Sequence, residues 1–410
     1  MQLRKFWLNI HLYLSLVLGV VIVLVGLTGS IITFDKEIDR LLNPDLLTVQ
    51  PQGQQRPMTE ILAVAKALHP DKIAGGMNPP LAEDDVFMVW FRVPEPVVPG
   101  KEEDKHACCK GIWHQVMVNP YTAQVLGSRD TSKYGLSSEY FIRTMHHLHS
   151  RILLGEWGKN FIGIVGILWL IISFIGIYLW WPKLAKLKLA LSIKRGAGNA
   201  RFIFDLHRTT GIYSAIVLII VTFSGVYMIF PSYVRPMVGV FSPAPEPLAK
   251  VESAVQPGVN AISVEEAVAI GAPIFPDAGL RRIGLPGDQT GSYRIFMRQE
   301  GEVGSAAKAL TSVWIDQYSG KVLEVRDSRE MTGGEVFLAW QMPLHNGTAF
   351  GLTGRILILF SGIVPLILAV TGTLMWLRKR RAKQQKAVVG KSAISTGEER
   401  GLAAAERSLT

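Results

Sequence analysis

The amino-acid sequence predicts a membrane protein with four transmembrane α-helices in two parallel repeats. Each repeat consists of a helix, a polar domain and a second helix. Three observations carry this reading. Apolar residues gather in four runs long enough to span a bilayer, which needs about 20 residues each. Two polar segments of domain size separate these runs. The chain also matches itself at an offset of 196 residues.

The four runs are Ile10 to Phe34, Phe161 to Trp181, Gly211 to Phe230 and Arg355 to Leu377. They set the domain plan: a first span within 1–34, a polar domain at 35–148, a second span within 149–181 and a basic loop at 182–206. A third span at 207–230, a second polar domain at 231–344, a fourth span within 345–377 and a basic tail at 378–410 follow. The first span is too long, and lacks the small-residue cleavage site, to read as a removed signal peptide. The last 25 or so residues, rich in Ala, Ser, Gly and charge, read as a disordered tail.

Charge sets the expected orientation. The two polar domains hold 22 basic and 28 acidic residues, so the whole +10 excess lies in the N-terminus (Arg4, Lys5), the loop "PKLAKLKLALSIKRGAGNAR" and the tail "RKRRAKQQK". Lys and Arg collect on the cytoplasmic side. Both ends and the basic loop are therefore expected in the cytoplasm and both domains outside it. The basic runs read as topogenic, not as a nucleic-acid surface.

The self-match places "HLYLSLVLGVVIVLVGLTGSIITF" on "HRTTGIYSAIVLIIVTFSGVYMIF" and "LHSRILLGEWGK" on "LHNGTAFGLTGR". His11 falls on His207 and His149 on His345, with Gly155, Gly158, Gly166, Gly176 and Trp180 on Gly351, Gly354, Gly362, Gly372 and Trp376. With one residue of slip, "VMVNPYTAQVLGSRD" matches "VWIDQYSGKVLEVRD", alternating apolar residues around a turn that read as a β-hairpin in each half. Each half crosses twice, so the halves run parallel. His11 and His207 then lie toward the cytoplasm, and His149 and His345 toward the outside.

A single histidine at a span end is more often an interfacial residue than a ligand. Two duplicated pairs are another matter, because the identities between the halves concentrate in His, Gly and Trp while most apolar positions have drifted. Imidazole binds zinc, copper and iron. Haem fits best: an iron that only transfers electrons takes one histidine on each face, and a flat macrocycle between helices needs small residues beside it. The spans supply Gly19, Gly26, Gly29, Gly163, Gly166, Gly176, Gly225, Gly362 and Gly372, which would equally serve ordinary helix packing. Arg4, Arg151, Arg208 and Arg355 are candidate partners for propionates, or routine interfacial anchors. In "TMHHLHSRILLGEWG", His149 has the counterpart in the second half and His146, one turn earlier, is the reserve ligand, while His147 points elsewhere on a helix. No Cys-x-x-Cys-His occurs, which leaves a b-type haem, and no dinucleotide or Walker fingerprint is present.

These residues resemble the PepSY-associated transmembrane family, which includes haem-containing inner-membrane reductases of ferric siderophores. The resemblance covers residues 1 to about 382 and rests on "HLYLSLVLGVVIVLVGLTGSIITFDKEID", "LHSRILLGEWGKNFIGIVGILWLIISFIGIYLWWPK", "DLHRTTGIYSAIVLIIVTFSGVY", "PLHNGTAFGLTGR" and the hairpins "NPYTAQVLG" and "DQYSGKVLE". It implies two α+β PepSY-like domains in the periplasm and two b-type haems per chain, one held by His11 and His207 and one by His149 and His345. It further implies electrons passing from an unidentified donor, quinol or a cytoplasmic reductase, to a ferric siderophore or other ferric chelate, with release of Fe(II).

One stretch of the first domain has no counterpart in the second, "VPEPVVPGKEEDKHACCKGIWH". His106, Cys108, Cys109 and His114 are candidate ligands there for iron or copper, and a structural or intermolecular thiol role is equally open to the two cysteines. Trp90, Trp113 and Tyr121 read as domain core. Two other function classes compete with the reductase: a membrane-anchored binding or regulatory module, and a metal or siderophore transporter. A transporter is expected to carry charged residues or broken helices at mid-membrane, and these spans offer only Pro365 as a candidate kink.

Overall fold

The structure, a computed structural model, describes residues 2–93, 113–194, 196, 198–243, 250–303 and 310–407, with side chains described as far as residue 385. The first half comprises α1 (Gln2–Ile32), α2 (Asp35–Leu42), α3 (Pro44–Leu47), α4 (Met58–Leu68), β1 (Ile73–Asn78), β2 (Phe87–Arg92), β3 (Trp113–Val118), β4 (Val125–Asp130), α5 (Ser138–Arg151) and α6 (Gly155–Trp180). After the short α7 (Leu187–Ala190), the second half comprises α8 (Asn199–Ile229), α9 (Pro231–Gly239), α10 (Val264–Gly271), β5 (Gly279–Gly284), β6 (Ser292–Arg298), β7 (Thr311–Asp316), β8 (Val322–Arg326), α11 (Gly333–Asn346) and α12 (Gly351–Arg407). Among the described residues, four helices are long and apolar enough to cross a membrane: α1, α6, α8 and the stretch Thr348–Gln385 that contains most of the apolar part of α12.

The chain divides into two compact units. The first contains Met1–Leu27, Ile164–Thr222 and Phe360–Thr410. Its helices approach through small residues: a side chain on Gly26 would meet the Gly362 carbonyl and, at 3.2 Å, the Pro365 ring. Pro365 therefore serves as a packing surface within a helix that continues through it. The basic loop is tied to α8, because Arg208 donates to the carbonyls of Leu189 (2.7 Å) and Ser192 (2.9 Å). Asp205 is fully buried between Arg201 and Arg208. The backbone of α12 remains helical to Arg407, where composition pointed to disorder. The Ala, Lys, Gln, Glu and Arg of that stretch have high intrinsic helix propensity, and no proline interrupts them.

The second unit contains Thr28–Gly163 and Phe223–Leu359. The sequence predicts two polar domains, yet the strands of both form one antiparallel sheet in the order β4-β3-β2-β1-β5-β6-β7-β8. The halves meet where β1 pairs β5, Gly76 opposite Gly284 and Met77 opposite Ile283. This junction hides the edge strand that each half alone would expose to unwanted pairing. A side chain on Gly76 would come within 2.9 Å of the Ile283 carbonyl, so glycine permits the close approach. One face of the sheet carries a core drawn from both halves, including Ile61, Met77, Val89, Ala267, Ile283 and Ile295. The N-terminus of α4 also hydrogen-bonds across to α10, Thr59 N to Glu265 Oε1 at 2.6 Å.

The predicted hairpins are β3–β4 and β7–β8. Their turns share one device, a side-chain oxygen accepting backbone N–H groups two and three residues on. Asn119 accepts from Tyr121 (2.9 Å) and Thr122 (3.3 Å), and Asp316 from Tyr318 (2.9 Å) and Ser319 (2.8 Å). Tyr121 is core, as expected, its hydroxyl donating to the Glu83 carbonyl at 2.8 Å. Trp90 is half-buried on the sheet face opposite the main core, and Trp113 lies over Gly75.

Candidate functional site

Each unit contains one of the two expected histidine pairs. In the first unit His11 of α1 and His207 of α8 have ring centres 6.5 Å apart, with planes at 88°. His11 Nδ1 lies 3.1 Å from the carbonyl of Ile172 and His207 Nδ1 2.9 Å from Thr371 Oγ1. A carbonyl only accepts, so Nδ1 of His11 bears the proton. The Thr371 hydroxyl gives its own proton to the Ile367 carbonyl at 2.6 Å, so it too accepts from the imidazole. Both rings are thus held in the tautomer whose Nε2 carries the lone pair, the usual arrangement of a metal-ligating histidine.

In the second unit His149 of α5 and His345 of α11 have ring centres 5.9 Å apart, at 63°. Ser224 Oγ lies 3.1 Å from His345 Nδ1. His149 stands 12 residues ahead of the apolar run that begins at Phe161, and a tight corner closes the gap. α5 ends at Arg151, Ile152 and Leu153 adopt left-handed φ of 43° and 59°, and α6 starts at Gly155 with φ 57°. In the second copy, α11 ends at Asn346 with Gly347 (φ 80°) as its left-handed cap, and α12 starts at Gly351 (φ 58°). Gly158 and Gly354 sit directly against the carbonyls of Arg151 and Gly347. The glycines shared between the halves around 155 and 351 therefore build the corner that sets the histidine helices.

A second set of shared glycines faces the rings. A side chain on Gly29 would meet His149 Cε1 at 2.8 Å, and one on Gly225 would meet His345 Cε1 at 3.0 Å. One on Gly176 would meet His11 Cε1 at 3.3 Å, and one on Gly372 would meet His207 Cε1 at 3.4 Å. Every ligand candidate thus rests on a glycine of its own half. Sequence reading found these glycines but not their assignment to individual histidines. It also missed the hydroxyls of Ser224 and Thr371. Thr28 and Ser224, both one residue before a ring-facing glycine and 196 positions apart, were the available signal.

Other candidates fall elsewhere. His146 is turned to α2, its Nε2 3.2 Å from Asp35 Oδ2, and so is separate from the pair at His149. Burial opposes the charge on Asp35, but the His146 contact and the Lys36 N–H hold its carboxyl below the ordinary range. His147 packs on the Tyr134 ring at 4.6 Å, and burial, with Arg143 and Arg151 nearby, lowers it to about 4. The four arginines considered for propionates have other partners. Arg4 donates to the Leu179 carbonyl (2.7 Å), Arg151 pairs with Glu156 (2.8 Å), Arg208 with Asp205 (2.9 Å) and Arg355 with Glu37 (2.6 Å). Interfacial guanidinium groups satisfy themselves on nearby carbonyls and carboxylates, which sequence distance from a histidine does not reveal.

His106, Cys108 and Cys109 lie outside the described residues. His114 is on β3, its ring 5.4 Å from that of His69. Among the described residues, no three His, Cys, Asp or Glu side chains converge as a metal-ion site. A bare zinc or copper ion would need more ligands than either histidine pair provides. Two imidazoles are the protein ligands that a b-type haem iron would take. The spacing suits such a group: a metal–nitrogen bond of about 2 Å on each side, with roughly 1 Å more to each ring centre, separates two opposed imidazoles by about 6 Å.

Comparison with known families finds that the one described as PepSY-associated TM region matches residues 8–379. No curated protein matches the chain.

Proposed function

The chain belongs to the PepSY-associated TM family, and on that premise we propose that it is a transmembrane electron carrier that reduces a ferric chelate, such as a ferric siderophore, outside the cytoplasmic membrane. The observation that carries the proposal is the repeated unit of one histidine on one glycine, present four times and brought together as two facing pairs. His11 with His207, and His149 with His345, would each hold one b-type haem. When bound, the haem supplies a one-electron Fe(III)/Fe(II) couple whose potential answers to its axial ligands and their hydrogen bonds.

The chain's own residues provide the rest. Ile172 O and Thr371 Oγ1 fix the ring orientation and tautomer of the first pair and raise the basicity of the ligand nitrogens. A haem held by a histidine on each side would have no position left for oxygen or substrate, so these pairs would suit it to electron transfer alone. Gly29, Gly176, Gly225 and Gly372 keep the space beside each ring clear. An Fe(III) chelate that accepts an electron holds the resulting Fe(II) less tightly, and iron is released. The donor would be quinol or a cytoplasmic reductase.

The test is the visible spectrum of the purified, detergent-solubilised protein, oxidised and dithionite-reduced, with a pyridine haemochrome assay. Two low-spin b-type haems per chain, and reoxidation of the reduced protein by a ferric siderophore, are the expected results. A colourless protein from haem-replete cells would overturn the proposal and favour a membrane-anchored binding module.

A further inference from the structure

The short helix that follows each half's first span differs in character between the copies. At the 196-residue offset, Asp35 of α2 corresponds to Pro231 of α9 and Leu42 to Val238. α2 is charged and bonded to its surroundings: Asp35 to His146, Glu37 to Arg355, Asp39 to Arg129, and Arg40 to Asp84 and Asp85. α9 has Arg235 as its one charge, and among the described residues its side chains make no hydrogen bond or ion pair. Instead α9 and the two residues after it expose large apolar groups, Tyr233 at 73%, Met237 at 66%, Val240 at 79% and Phe241 at 90%.

We propose that α9 is an interfacial helix seated in the lipid headgroup region, and that it fastens the second histidine helix to the bilayer surface. Continuity with the spanning helix identifies the occupant. α8 ends at Ile229 and α9 starts at Pro231, so the helix begins where the lipid-facing surface of a membrane span leaves off. A single residue between them gives no length to carry α9 away from the boundary. Tyr and Phe at that level, with an arginine able to reach the phosphates, is the composition of an interfacial segment. In the chain just past α9, Ser242 Oγ accepts from the Gly334 N–H at 2.9 Å, and Thr332 Oγ1 donates to the Pro243 carbonyl at 2.5 Å. Both hooks hold the N-terminus of α11, the helix that bears His345.

The experiment is site-directed spin labelling of the full chain in phosphatidylethanolamine/phosphatidylglycerol vesicles. In a background with Cys108→Ser and Cys109→Ser, single labels are placed through Met237→Cys, Phe241→Cys and, as the α2 control, Lys36→Cys. Collision with oxygen several-fold above collision with a water-soluble nickel chelate at 237 and 241, and the reverse at 36, is the expected result. Nickel access at 237 and 241 equal to that at 36 would place α9 in water and overturn the proposal. Shielding from both reagents would overturn it in favour of a protein partner or a second copy. None of these outcomes depends on haem.

Discussion

Gly29→Ala is the sharpest probe of the ring-on-glycine arrangement. The added methyl would stand 2.8 Å from Cε1 and 3.0 Å from Nδ1 of His149. Carbon–carbon contacts are comfortable at about 3.5–4.0 Å, so the ring would have to withdraw by roughly 0.7 Å or more. That exceeds the ~0.5 Å within which a ligand must be held, and overpacking of this kind costs about 1–3 kcal/mol. The opposite prediction holds for Gly372→Ala, whose methyl would meet His207 Cε1 at 3.4 Å, close to ordinary contact. Haem per chain by pyridine haemochrome, with the low-spin electron paramagnetic resonance signals, reads both variants. Gly29→Ala should lose about half the haem and one of two low-spin signals, while Gly372→Ala keeps both. Full haem with unchanged signals in Gly29→Ala, or equal loss in the two variants, would refute the reasoning.

Further outcomes follow from other parts of the structure. His345→Ala should abolish the signal of the pair it forms with His149 and leave that of His11 and His207, as read by the same spectra; loss of only the latter signal would disprove the pairing. Asp316→Ala leaves the N–H groups of Ala254, Tyr318 and Ser319 without their acceptor and should cost about 2–4 kcal/mol, with Asp316→Asn milder, measured by thermal unfolding in detergent. The Glu37 carboxyl, hydrogen-bonded by Arg355, is held below the ordinary glutamate range. A depressed carboxylate adds stability that is complete above its unfolded value, about 4.3, and lost as pH falls through the folded value. Glu37→Gln should therefore flatten the loss of thermal stability on acidification below about pH 4.5, and curves of identical slope for the two proteins would count against the ion pair.

Fold class and the four ligand candidates were legible in the sequence for a simple reason. Apolar runs, charge bias, hairpin alternation and an internal repeat are properties of the chain read in order, and His11 and His207, like His149 and His345, stand out as positions matched at the 196-residue offset. Side-chain bonding was not legible. His146 and His149 lie on similar faces of one helix, and only the position of Asp35 on α2 separates the former from the latter. Arg355, adjacent to a span, turned out to be occupied by Glu37 and the Thr33 carbonyl.

The sequence by itself determined four apolar stretches long enough to cross a membrane and a self-match at 196 residues with histidines at corresponding places, because hydrophobicity and repetition are local or in register along the chain. Only the tertiary structure decided that the two polar segments share one eight-stranded sheet, joined at Gly76 and Gly284. It alone also decided which histidine faces which, and which glycine makes room for each ring. Those are contacts between residues far apart in sequence, and strand pairing and ring packing depend on distances that no residue spacing encodes.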